Sequence, residues 1–270
     1  MSKVSVITPV YNRPQYLEEA AKSIQQQSHT NWEHIIVDDG STNTQTQDVL
    51  KTIARLPKTI IYRTENKGLA AARNFGIERS TGEYILTLDD DDKWHADFIR
   101  SALNIFQEKP QAGVVTAWMK EFGLSNRIIK TKGGGIKNFL IENNSVHGIF
   151  KKEYWENVDG YDEKMKTGYE DWDFWLRITA MGHNIEVVQQ PFFFYRIHND
   201  SSLFNVAKGM HLDLFRYIVE KNEAIYREHM VDALCLLEEK IMDTRKVFES
   251  AGLLSKLKRV LHFKKRKAGQ

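Results

Sequence analysis

The chain has 270 residues, of which 41% are hydrophobic and 27% charged, and its formal net charge is +2 at pH 7. That is an ordinary soluble globular balance, too near neutral for a protein that grips nucleic acid through backbone phosphates. A single cysteine, Cys235, excludes an intrachain disulfide and a cysteine-based zinc site.

Val4 to Val10 is short and β-branched and reads as a buried strand. Pro14 suits the first turn of a helix that carries Leu17, Ala20, Ala21 and Ile24 on one face. His34 to Val37 predicts a second strand, ending in Asp38-Asp39-Gly40-Ser41, and Asp48 to Leu56 a second helix. Thr59 to Arg63 is a third strand, Leu69 to Arg79 a helix broken by Thr81-Gly82, and Tyr84 to Leu88 a fourth strand that runs into Asp89-Asp90-Asp91-Asp92. A helix from His95 to Glu108 ends at Pro110, and Gly113 to Trp118 is a fifth strand. The alternation implies βαβ units, hence a mainly parallel sheet with helices on both faces. In such sheets ligands lie beyond the carboxyl ends of the strands. Tyr11, Asn12, Asp38, Asp39 and Asp89 to Asp92 should therefore converge on one sheet edge.

The second half is less regular. Lys132-Gly133-Gly134-Gly135 is a loop, Asn143 to Phe150 is a strand or a loop entering one, and Glu170 to Ala180 is helical. Ile185 to Val188 and Phe192 to Ile197 read as two strands, and Val206 to Phe248 is mostly helical. The expected organisation is a domain of residues 1–205 followed by a helical extension, 206–270, with a basic tail. In that tail Leu253, Leu254, Leu257, Val260 and Leu261 follow helical spacing among Lys256, Lys258 and Arg259, which suits either peripheral contact with an anionic membrane or a solvated end. No apolar run approaches the roughly 20 residues of a membrane span. The start MSKVSVITPVYN lacks the features of a signal peptide, so the expected compartment is the cytoplasm.

Four constellations carry chemistry. Four adjacent aspartates repel one another, and a divalent ion such as Mg²⁺ or Mn²⁺ that also meets substrate phosphates would relieve this; a solvated acidic turn is the alternative. Glu170-Asp171-Trp172-Asp173 opens a helix, where carboxylates favour the dipole, but a pair exceeds what a cap needs and offers a general base. Arg73, one turn into the helix after Asn66-Lys67-Gly68, can reach a phosphate or a base edge or stay on the surface. His198, after a strand, is a structural residue or, near the acidic run, a metal ligand.

The segments SVITPVYN, VDDGS, NKGLAAARN, LDDDDKW, GYEDWDFWLR and YRIHNDSS, in that order and spacing, resemble the inverting family 2 glycosyltransferases of the GT-A fold over about residues 3–203. The resemblance implies that Pro9, Tyr11 and Asp39 line a nucleobase pocket, usually for uracil, with Asn12 supporting the loop and Arg73 near the base or diphosphate. It assigns Asp89 or Asp90 to the ribose, Asp91 to the metal, Asp171 to the catalytic base with Glu170 beside it at the acceptor mouth, and His198 to the metal or diphosphate. Trp94, the stretch Asn143 to Gly148 and the stretch Gly168 to Asp171 would meet the acceptor; His147 either faces it or fills a core or loop position. The implied reaction moves a sugar from a nucleotide diphosphate donor, UDP-linked by expectation, to a hydroxyl of a glycan or lipid-linked acceptor, with inversion and a divalent metal. A nucleotidyltransferase would be expected to carry a Gly-rich basic phosphate loop near the N-terminus, which the sequence lacks; a non-catalytic nucleotide-sugar binding protein is disfavoured by the intact Asp91, Asp171 and His198.

Overall fold

The computed structural model describes residues 2–144, 147–198 and 202–250; the basic tail and Asn199 to Ser201 of the YRIHNDSS segment lie outside them. The chain divides into two compact units, Met1–Asn222 and Glu223–Gln270. The first opens with β1 (Val4–Val10), α1 (Pro14–Gln25), β2 (Trp32–Asp38), α2 (Thr44–Ile53), β3 (Thr59–Arg63), α3 (Leu69–Glu78) and β4 (Tyr84–Thr87). It continues through β5 (Lys93–Trp94), α4 (Phe98–Glu108), β6 (Ala112–Gly123), β7 (Ile128–Ile129), a 3-10 turn at Ile136–Phe139, β8 (Ile149–Lys151) and α5 (Lys152–Asn157). It closes with α6 (Glu170–Ala180), β9 (Asn184–Ile197), α7 (Ser202–Gly209) and α8 (His211–Lys221). The described part of the second unit is helical, α9 (Glu223–Glu228) and α10 (Met230–Ser250). No helix among the described residues is long and apolar enough to cross a membrane.

Among the described residues the strands form one sheet in the order β3-β2-β1-β4-β8-β6-β9-β5, with β7 on β6. The pairs β3-β2, β2-β1 and β1-β4 are parallel, as is β6-β9, whereas β8 runs antiparallel to both β4 and β6. β1 and β2 are buried along their whole length because helices cover both faces. On one face Val4 and Val6 pack with Ala20 and Ile24 of α1 and with Phe98, Ile99 and Ala102 of α4, while Val10 and Ile36 meet Leu17, Leu50 and Ile53. On the other face α3 approaches so closely at Gly76 that a Cβ there would lie 2.7 Å from Ile7 Cγ2 and 3.0 Å from Val37 Cγ2.

Tertiary pairing moves several boundaries away from the sequence expectation. α2 begins at Thr44, not Asp48, because the Asn43 side chain caps it by accepting from Thr46 N at 2.7 Å. α4 begins at Phe98, not His95, because Lys93 and Trp94 are drawn off as a strand on β9. The two strands expected around residues 185–197 are one, β9, and Pro191 falls where its register against β6 shifts between Val188 and Phe193, so no ladder hydrogen bond is demanded of it. β6 runs on to Gly123 because β9 pairs it over that whole length.

Candidate active site

The expected convergence is present at the carboxyl ends of β1, β2 and β4. Beyond β1 the chain turns at Asn12, whose φ of 51° is rare for a residue with a side chain. The strain is held by the facing loop: Asn12 N donates to Ser41 Oγ at 3.0 Å, and Asn12 Oδ1 accepts from Thr42 N at 2.8 Å and Asn43 N at 3.1 Å. Tyr11 projects from this turn with 49% of its surface exposed, while Pro9 is buried in β1 itself. Beyond β2, the buried Asp39 accepts from Lys67 N and Gly68 N, both at 2.9 Å, and so ties the β2 loop to the start of α3. Gly68 makes this close approach with a φ of 100°, open to glycine alone at little cost. Asp39 and Lys67 then line an open pocket of about 260 Å³ with Arg63, Thr64, Glu65, Ala71 and Phe75.

The four aspartates have four different surroundings. Asp89 accepts from Arg73 Nη2 at 2.7 Å. Asp90 is buried beside Arg13 Nη1 at 3.0 Å, yet burial and the neighbouring Asp91 and Asp89 charges push its carboxyl up to about 8. Asp91 Oδ2 meets Arg13 Nη1 at 2.6 Å and His198 Nε2 at 3.0 Å. Asp92 is buried, accepts from Arg196 N at 2.8 Å through Oδ1, and leaves Oδ2 without a hydrogen-bond partner. Burial, with Asp91 and Asp89 nearby, raises Asp92 well above the usual carboxylate value, and its bond to Arg196 N ties the turn to β9.

Arg73 joins this run to α6. It is 4% exposed and its Nη1 donates to Glu170 Oε1 at 2.7 Å, opposite the bond to Asp89. Burial works to lower its pKa, but the charges of Asp89 and Glu170 outweigh that and the net shift is upward. Glu170 therefore turns inward. It is 5% exposed and serves Arg73 instead of standing at the acceptor mouth, and burial pushes its carboxyl up to about 7. Asp171 is the more open of the pair. Its carboxylate accepts from its neighbour Trp172 N at 2.8 Å and from Asn143 Nδ2 at 3.1 and 3.3 Å. Tyr169, held at a φ of 65°, turns the chain into α6 so that this pair opens the helix.

His147 belongs to the same site. Its ring stacks on Phe193 at 4.5 Å, and burial lowers its pKa although the charges of Asp89 and Asp171 act the other way. Trp94 does not belong. It is 2% exposed, stacks on Phe98 at 3.8 Å, and donates its indole N–H to Thr87 O at 3.2 Å, so it is a core residue with no face for an acceptor. Sequence reasoning missed Arg13, Tyr161 and Tyr195, and it named Asn143 only as the start of a stretch expected to meet the acceptor. Tyr161 lies 5.5 Å from the Arg73 guanidinium, and the phenols of Tyr161 and Tyr195 are both raised by burial and by the surrounding carboxylates.

Among the described residues no group of three or more His, Cys, Asp or Glu could hold a metal ion by itself. The Asp91 carboxylate with the His198 imidazole nonetheless suits an Mg²⁺- or Mn²⁺-type ion, which takes one or two protein ligands and completes its shell with water and substrate phosphate oxygens. The residues present fit such an ion on that condition.

Solved structures share the fold. Staphylococcus aureus TarS 1-349 in complex with UDP-GlcNAc aligns with a TM-score of 0.67 at 20% identity, covering 80% of this chain and 66% of that one. Full TarS aligns with a TM-score of 0.62 at 21% identity over 78% of this chain and 39% of its own. The fold is thus the GT-A α/β fold. In sequence, the Bacillus subtilis (strain 168) protein named for teichuronic acid biosynthesis, glycosyltransferase TuaG, is 43% identical over 117 residues, which is 43% of this chain and 46% of that protein. The uncharacterized glycosyltransferase MJ1057 of Methanocaldococcus jannaschii is 28% identical over 239 residues, 84% of this chain and 81% of its own. Residues 5–171, which run from β1 through α5 to the first two residues of α6, match the description Glycosyl transferase family 2, and the chain belongs to that family.

Proposed function

We propose that the chain is an inverting glycosyltransferase that moves a sugar from a UDP-linked donor to a hydroxyl of a glycan or lipid-linked acceptor, with a divalent metal at Asp91 and His198. The observation that carries this reading is the Asp89–Arg73–Glu170 bridge, with both bonds at 2.7 Å, which holds the strand-end aspartates beside the helix that presents Asp171. The TarS complexes with UDP and UDP-GlcNAc support the choice of donor.

The residues divide the work as follows. Tyr11 and the pocket beside Asp39 receive the nucleobase, and Asp89 and Asp90 stand nearest the ribose. Asp91 and His198 would hold the metal, which when bound neutralises charge gathering on the departing diphosphate. Asp171 takes the proton of the acceptor hydroxyl, and Asn143 keeps its carboxylate turned to do so. Glu170 is the poorer base: it is buried, engaged by Arg73 and half protonated near pH 7. The acceptor oxygen, relieved of its proton by Asp171, attacks the anomeric carbon from the face opposite the leaving nucleotide diphosphate, so the new glycosidic bond forms as the bond to the diphosphate breaks and no covalent enzyme intermediate is required.

The test is nucleotide release from a panel of UDP-sugars with Mn²⁺ and candidate acceptors. Asp171→Asn should lower turnover by about 10²–10⁴-fold, the usual worth of a general base, with UDP affinity kept. Asp91→Ala should weaken UDP binding only when Mn²⁺ is present. Unchanged turnover in both variants refutes the assignment.

A further inference from the structure

Three arginines meet the aspartate run, and only one of them has room to leave. Arg73 is buried with two carboxylate partners. Arg196 is clamped: its guanidinium lies 4.1 Å from the Tyr16 ring and 4.2 Å from the Phe122 ring, Nε donates to Asp91 O at 2.9 Å, and Nη2 pairs with Glu19. Arg13 differs. Its side chain is 31% exposed, against 5% for Arg73 and 11% for Arg196, and its bonds go to the carboxylates themselves. Its backbone is fixed, because it stands between the pinned Asn12 and Pro14, the first residue of α1. It is therefore a long cationic arm on a rigid base.

Its contact falls on the oxygen a metal would use. Asp91 Oδ2 accepts from Arg13 at 2.6 Å and meets His198 Nε2 at 3.0 Å. A carboxylate oxygen has two lone pairs, and a divalent ion would sit about 2.1 Å from it. The ion and the guanidinium cannot share that place, since geometry and like charge both forbid it. An imidazole nitrogen can turn from hydrogen bond to metal ligand, whereas a guanidinium has no acceptor to offer and must move away. A donor diphosphate bound beside Asp91 would offer it a new anion.

We propose that Arg13 is a tethered cation that occupies the Asp90–Asp91 pair in the nucleotide-free protein, is displaced from Asp91 by the divalent ion, and passes to the donor diphosphate. This rests on the donor and metal reading above. The consequence is ordered recognition: the protein binds the ion weakly alone and tightly only with a nucleotide that gives Arg13 a second partner.

The experiment is a titration of Mn²⁺, followed by the paramagnetic resonance of the free ion, on the full chain and on Arg13→Gln and Arg13→Lys, each with and without saturating UDP. Arg13→Gln should bind Mn²⁺ without nucleotide at least about tenfold more tightly than the wild type, and UDP should improve that affinity less than it does in the wild type. Arg13→Lys, which keeps a charge but loses the fork, should fall between, and it decides the matter if Arg13→Gln does not fold. Equal or weaker nucleotide-free affinity in the folded variants overturns the proposal while leaving the metal reading intact. If no protein binds Mn²⁺ even with UDP, the metal reading fails and the proposal with it.

Discussion

Removing Arg73 is the sharpest perturbation this site allows. Arg73→Met keeps most of the buried volume but deletes the cation between Asp89 and Glu170, which are 26% and 7% exposed at their side chains. Breaking a buried ion pair by deleting one partner costs about 3–5 kcal/mol when the other charge stays ionised. Glu170 escapes part of that cost. Its carboxyl is already pushed up to about 7 with Arg73 in place, and without Arg73 it rises further and takes a proton. Asp89 bears the larger part of it: burial works to raise its carboxyl, but the charge and hydrogen bond of Arg73, with His147 and Arg13, hold it below the usual carboxylate range, and the variant deletes the chief of these partners. The net loss at pH 7 is therefore about 3 kcal/mol, which for a unit of this size lowers the melting temperature by about 6–12 °C. The sign with pH follows from Glu170. A carboxyl raised in the folded state destabilises as pH climbs from the unfolded pKa to the folded one, so the variant should lose more stability than the wild type between pH 6 and pH 8. Thermal melts of wild type, Arg73→Met and Arg73→Lys at those two pH values check it, with Arg73→Lys between the other two because one ammonium cannot bridge both acids. A melting point for Arg73→Met within about 2 °C of wild type at pH 8 would show that the bridge contributes nothing.

His34 and Gly76 give two further tests. His34 is fully buried against Thr8 Oγ1 at 2.9 Å, and burial lowers its pKa from 6.5 to about 3. The unfolded chain takes the proton first, so stability falls as pH drops below about 6.5, by about 2 kcal/mol at pH 5, and urea midpoints at pH 7 and 5 should differ more for wild type than for His34→Leu. Gly76→Ala would gain about 1 kcal/mol of helix propensity in an open helix. Here its methyl would lie 2.7 Å from Ile7 Cγ2, and overpacking at about 1–3 kcal/mol wins, so the variant should melt lower; a higher melting point would mean that α3 yields from β1 at less cost than the helix gains.

What the sequence makes legible is whatever depends on apolar runs and strand-end position. β1, β2 and β4 are covered on both faces, so they read as unbroken apolar segments, and a parallel order then brings Asp39 and Asp89 to one edge without any contact being known. Arg13 is illegible for the opposite reason. It sits in a polar turn before a helix and its partners lie 77 and 78 residues away, so nothing local distinguishes it from a solvated arginine. Trp94 misleads because it follows the aspartates in sequence, yet β5 folds it back onto β9 and into the core. Glu170 and Asp171 look equivalent in sequence; only Arg73, 97 residues from Glu170, separates the buried acid from the accessible one.

The direction of β8 explains why His147 and Asn143 reach the strand-end carboxylates and Asp171 at all. β8 is antiparallel to β4, with Tyr84 opposite Lys151 and Leu86 opposite Ile149. The residues that precede β8 therefore emerge beside the residues that follow β4. This sets His147 near Asp89 and brings Asn143 to Asp171, although 58 positions separate His147 from Asp89 and 28 separate Asn143 from Asp171. Were β8 parallel, its leading residues would emerge at the amino-terminal edge of β4, on the far side of the sheet from the aspartates, and Asp171 would lose the amide that orients it. A strand of three residues, Ile149–Lys151, carries too little sequence for its direction to be read, so the one element that closes the crevice is the one that periodicity cannot supply.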